Sequence, residues 1–114
     1  MAHRKIEFLL LDILKACDRI KFYTKDLDKE KIINNPMIVD AVIRNFEIIG
    51  EASNRLGKDF REKQNHIDWS RIISFRNRLI HNYMEVDLDL VYDVLTIEIN
   101  ELIENIRTIQ KSLQ

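Results

Sequence analysis

With a single cysteine, Cys17, the chain has no partner for an internal disulfide, and it opens without a basic and then apolar leader, so a reducing cytoplasm is the expected compartment. Two glycines and one proline are too few for the tight turns of an all-β fold. No run of about 18 apolar residues occurs, which argues against a membrane span. An excess of one charge sign is also missing. Eighteen basic residues stand against 19 acidic ones, and a net charge of −1 by itself favours neither presence nor absence of a polyanionic ligand. What is there, 46% hydrophobic and 32% charged residues in 114, suits one all-α domain over residues 1–114, long enough for a core and too short for two.

The charges are unevenly spread. Residues 51–80 hold seven basic groups (Arg55, Lys58, Arg61, Lys63, Arg71, Arg76, Arg78) against four acids, whereas residues 81–114 hold two (Arg107, Lys111) against seven. The middle of the chain is therefore its cationic part, although a solvated helix face of mixed charge would look much the same.

Apolar periodicity predicts four helices. From Arg4 to about Leu27, Ile6, Leu9, Leu10, Ile13, Cys17 and Ile20 recur at steps of three and four, with Phe8, Leu11 and Phe22 as a second apolar flank. Such a helix lies centrally in a bundle or meets another subunit. Asp26 to Lys31 reads as a charged turn. Asn35-Pro36 is a helix start, since the asparagine can cap free amides and proline at the first position loses no hydrogen bond, and the second helix should run to about Leu56, with Gly57 as a stop. Gly50, inside that helix, costs roughly 1 kcal/mol relative to alanine, which close approach of another helix could offset. Lys58 to Asn65 is a polar connection with room for one helical turn. Asp68 can cap a third helix running from Trp69 to about Tyr83. In the fourth, Leu88, Tyr92, Leu95, Ile99, Leu102, Ile106, Ile109 and Leu113 alternate steps of four and three, a seam that packs lengthwise on another helix. Four helices with short connections imply an antiparallel four-helix bundle.

The third helix breaks its own pattern. With Trp69 at zero and about 100° per residue, Ile72, Ile73, Leu79, Ile80 and Tyr83 fall between roughly −80° and +40°, and Arg76 lands in the middle of that stripe. An arginine facing a core is paired with a carboxylate, Glu47 or Glu51 being the candidates, or meets an anionic ligand. His81 follows five residues later. Arginine offers phosphate a planar fork of donors and histidine moves a proton near neutral pH, so together they can cleave RNA without a metal: the imidazole takes the ribose 2′-hydroxyl proton while the guanidinium stabilises charge on the phosphoryl oxygens. DNA lacks the attacking hydroxyl.

Regular helix geometry places Arg76 and His81 roughly 140° apart. Asn77 shares the face of His81 and could hold its ring, and a twofold homodimer with motif helices facing one another would gather both residue types in one cleft. Alone, each residue also has a duller role: Arg76 in an ion pair, His81 at the surface, Tyr83 as a core ring with its hydroxyl at the rim. His3, His66, His81 and Cys17 show no metal-ligand spacing, and no cofactor motif is present.

The stretch Arg76-Asn77-Arg78-Leu79-Ile80-His81-Asn82-Tyr83, with Ile49-Gly50-Glu51-Ala52 and Ile67-Asp68-Trp69 in support, resembles HEPN-domain proteins of the HepT type, the toxins of HepT/MntA toxin-antitoxin pairs. The resemblance implies a HEPN-like, homodimeric, metal-independent ribonuclease acting on RNA through Arg76 and His81, with Asn77 assisting. It also implies neutralisation by an MntA-type nucleotidyltransferase antitoxin that adds AMP to Tyr83. Two positions differ from the common pattern: Asn82 stands where glycine is frequent, and Asn65-His66 where a proline often precedes the tryptophan. Two other readings stay open, a non-catalytic nucleotide- or substrate-binding module beside a nucleotidyltransferase, and a purely structural dimerisation domain.

Overall fold

The computed structural model describes residues 2–81 and 86–114, without the side chains of residues 2, 3, 80 and 81. The expectations placed on the imidazole of His81, on Asn82 and on Tyr83 therefore lie outside the described residues. All regular elements among those described are helical.

Helix α1 (Ala2–Thr24) buries Leu9, Leu10, Ile13, Leu14, Ala16, Cys17 and Ile20 on one face. It ends earlier than the periodicity suggests because Asp26 takes a positive φ of 61°, a conformation that short polar side chains tolerate and that a helix cannot continue through. The charged stretch that follows contains a short helix, α2 (Lys29–Ile33), in place of a simple turn; the Asp28 carboxylate accepts from the Lys31 amide at 2.9 Å and so satisfies one of its free donors. Burial pushes the Cys17 thiol up to about 12, which keeps it protonated and unreactive near neutral pH.

Helix α3 (Pro36–Arg55) starts where the Asn-Pro pair predicts, with Asn35 Oδ1 accepting from the amides of Met37 at 3.1 Å and Ile38 at 3.2 Å. Replacing Asn35 with alanine should lower stability by about 1 kcal/mol, read as a lower urea midpoint with an unchanged denaturant slope. At the other end Gly57 adopts φ 91°, open to glycine alone without strain, and Arg61 Nη1 donates to the carbonyls of Asn54 at 2.7 Å and Ser53 at 3.2 Å. The polar connection after Gly57 forms α4 (Lys58–Lys63).

Helix α5 (Trp69–His81) carries the motif. Asp68 caps it, accepting from the Arg71 amide at 3.1 Å, and the buried Trp69 donates its indole N–H to the Gln64 carbonyl at 3.0 Å. The last helix is not continuous: α6 (Leu88–Asp93), capped by Asp87, passes through a π-helical turn at Val94–Glu98 into α7 (Ile99–Ser112). The seam survives this interruption, with Leu95, Ile99, Leu102, Ile106 and Ile109 buried.

Helix α1 packs on α3 and α7, α3 on α5, and α2 against α3 and α6. Between α3 and α5 the rings of Phe46 and Phe75 meet edge to face, 5.2 Å between centroids. Lys29 bonds Asp89 at 2.9 Å and lies over the Tyr92 ring; the carboxylate holds its ammonium above the ordinary lysine range, but the pair is solvent-exposed and adds little to stability. The second flank of α1 stays outside this packing, with Phe8 at 56% and Phe22 at 76% exposure among the described residues.

Candidate functional site

The motif helix meets α3 along a stripe whose ends are buried and whose centre is not. Trp69 and Leu79 are 5% and 2% exposed, whereas Ile72, Ile73, Phe75 and Arg76 are half-buried. The stem of Arg76 crosses α3 at Gly50, where an added Cβ would overlap Arg76 Cβ and Cγ and touch Cδ at 3.4 Å. This is the close approach that the glycine inside α3 predicts.

Of the two roles open to Arg76 from sequence, the structural ion pair is not formed among the described residues. Glu47 instead lies 3.7 Å from Arg44, and neither Glu47 nor Glu51 makes an ion pair or hydrogen bond with Arg76. The guanidinium Nη1 donates to Asn77 Oδ1 at 2.9 Å, a neutral acceptor that leaves the full positive charge in place. Its Nε is buried without an acceptor, an arrangement that costs stability. Among the described residues Arg76 thus has no carboxylate partner, and it stands at the edge of the α3–α5 contact. Asn77, expected on the face of His81, uses its side-chain oxygen on the arginine.

Helix α5 remains α-helical through His81, so no local distortion reduces the roughly 140° between positions 76 and 81. The rest of the cationic middle segment is partly committed elsewhere. Arg61 caps α3, Lys58 lies 3.9 Å from Glu62, and Arg71 grips Glu98 of the π turn through Nε at 2.8 Å and Nη2 at 3.1 Å. The basic bias of residues 51–80 therefore overstates the charge available to a ligand. Arg78 lines a groove of about 470 Å³ together with Phe46, Ile72, Phe75, Arg71, Glu98 and Glu101. A lining that mixes apolar side chains with charges of both signs lacks the one-signed potential of a phosphate track.

The role of Gly50 in seating Arg76 was not assigned from sequence; the signal was a glycine in mid-helix, which said that something comes close but not what. Among the described residues no group of three His, Cys, Asp or Glu side chains is arranged to hold a metal ion, and no helix is long and apolar enough to cross a membrane.

Comparison with known proteins bears on the family. A protein of Methanocaldococcus jannaschii named as a candidate RNase is 42% identical over 114 residues, all of this chain and 98% of the relative. A second from the same organism, also named as a candidate RNase, is 42% identical over 95 residues, 83% of this chain and 87% of its own. A Thermococcus cleftensis protein named as a probable ribonuclease HepT is 33% identical over 93 residues, covering 82% and 84%. No solved structure matches. The family described as ribonuclease HepT-like matches residues 13–109, and with relatives of this identity and coverage the chain belongs to that family.

Proposed function

We propose that this chain, acting as one HEPN-like domain in a twofold homodimer, is a metal-independent endoribonuclease and the toxin of a toxin-antitoxin pair. The observation that carries the reading is the state of Arg76: hydrogen-bonded to Asn77, bonded to no carboxylate among the described residues, and half-buried where a plain core residue would serve the packing better. Membership of a family described as ribonuclease and relatives named as RNases supply the reaction class.

In the proposed reaction His81 removes the proton from a ribose 2′-hydroxyl, and that oxygen attacks the adjacent phosphorus. The bond from phosphorus to the 5′-oxygen breaks, the leaving oxygen takes up a proton, and a 2′,3′-cyclic phosphate remains. Arg76 stabilises the charge that builds on the non-bridging oxygens, and Asn77 assists by fixing the guanidinium. Because positions 76 and 81 point to different sides of α5, the site is completed by the facing copy of the motif helix. The exposed Phe8, Leu11 and Phe22 on α1 are apolar surface that association can also cover. Neutralisation follows from an MntA-type nucleotidyltransferase adding AMP to Tyr83, where a bulky anion beside the site would compete with RNA phosphate.

Purified protein incubated with bulk RNA in the presence of a chelator should yield fragments with 2′,3′-cyclic phosphate ends. Intact RNA under these conditions, with the protein folded and dimeric, would favour the non-catalytic binding module instead.

A further inference from the structure

We propose that Gly50 is a positioning residue for Arg76: the missing side chain forms a seat in α3 that sets where the guanidinium emerges. The inference rests on the role given to Arg76 above. Three observations meet at this point. The Cβ and Cγ of Arg76 occupy the space a side chain at position 50 would need, Gly50 itself is buried, and Nε is buried beyond the seat with no acceptor. The far end is held separately, by the 2.9 Å bond from Nη1 to Asn77. The stem of the arginine is thus confined at Gly50 and its tip has a hydrogen-bond partner at the surface, so less rotamer freedom remains to be lost on binding than for a fully exposed arginine.

The overlap with Arg76 Cβ reflects close approach of α3 and α5, which any side chain at position 76 would require; the overlap with Cγ and the contact with Cδ are what tie the seat to the arginine stem. Alanine at position 50 suits a helix better than glycine, and an aliphatic residue at position 76 would leave no buried donor unpaired. The combination makes sense where the charge must stand at one place when phosphate binds, since preorganised donors need not move as charge develops. With a Cβ at position 50, α5 must back away from α3 or the stem must swing out. Either displaces the guanidinium.

The test is the Gly50→Ala variant beside Arg76→Ala and the double variant, each binding a single-stranded 2′-O-methyl RNA that cannot be cleaved. Loss of one phosphate contact lowers the slope of log affinity against log salt by about 0.7. Arg76→Ala should show that drop, Gly50→Ala should show the same one, and the double variant should show no more. Cleavage of ordinary RNA by Gly50→Ala should fall by about 10²-fold, as a displacement near 1 Å does. Slope is a property of the folded molecules, so a loss of stability alone leaves it unchanged.

A wild-type slope and rate in Gly50→Ala, with Arg76→Ala impaired in both, overturns the positioning role and spares the ribonuclease reading. Arg76→Ala behaving as wild type overturns the positioning role together with the part given to Arg76 in the reaction. Should Gly50→Ala fail to fold, the wild-type protein still decides: the Arg76 Nε–H should exchange with solvent far more slowly than that of the exposed Arg78. Equal exchange rates mean that the stem is not seated, and the inference falls.

Discussion

Alanine at position 81 is expected to lower RNA cleavage by about 10²- to 10⁴-fold, the usual worth of a positioned proton-transfer group, with the helical circular dichroism unchanged. Alanine at position 76 should cost about 10²- to 10³-fold, the range seen when one donor to a developing oxyanion is removed. The two losses should not multiply, because residues that act in one step are not independent. Growth inhibition by the expressed chain should be lost with cleavage. Measured initial rates for either variant within a few-fold of the parent would remove that residue from the chemistry. The arginine variant has a second expected effect on the fold. It deletes a buried, unpaired Nε–H, so the protein should lose less stability than a side chain of that size would otherwise imply.

The other large effect concerns the anchoring of the motif helix. Trp69 is 5% exposed, opens α5, and ties it through a 3.0 Å hydrogen bond to the Gln64 carbonyl in the turn before it. Trp69→Ala should destabilise by about 3–5 kcal/mol, the cost of a large cavity together with the lost indole hydrogen bond. For a protein of this size that is a large share of the whole folding free energy. Trp69→Phe keeps most of the packing and should cost about 1–2 kcal/mol, from the smaller ring and the lost indole hydrogen bond, since the Gln64 carbonyl still accepts from the Ile67 amide at 3.2 Å. Urea unfolding of the three proteins measures both. A loss below about 1 kcal/mol in the alanine variant would mean that α5 is not held at its start in this way.

Much of the architecture follows from local rules, which is why it is legible without coordinates. Asn35-Pro36 places the start of α3 and Asp68 that of α5, because a short oxygen-bearing side chain answers amides two or three residues ahead of it. The α1 face from Leu9 to Ile20 and the seam from Leu95 to Ile109 follow from helical period alone. Where boundaries moved, a backbone choice decided: the positive φ of Asp26 ended α1 early, and the π turn at Val94–Glu98 divided what periodicity shows as one helix. A five-residue irregularity of that kind leaves the apolar spacing on either side almost intact, so hydropathy does not register it.

The candidate site divides in the same way. The sequence by itself determined that an arginine stands in an apolar stripe, that a histidine and a tyrosine follow it at family spacing, and that a helix glycine awaits a close neighbour. Only the tertiary structure decided that the neighbour is Arg76, that Asn77 and not Glu47 or Glu51 takes its guanidinium, and that Arg61 and Arg71 are spent on a helix cap and an ion pair. Helical period and capping act within a few residues of chain. Which charge meets which partner depends on groups brought together from distant segments, as with Gly50 and Arg76 or Arg71 and Glu98, and no local pattern encodes that meeting.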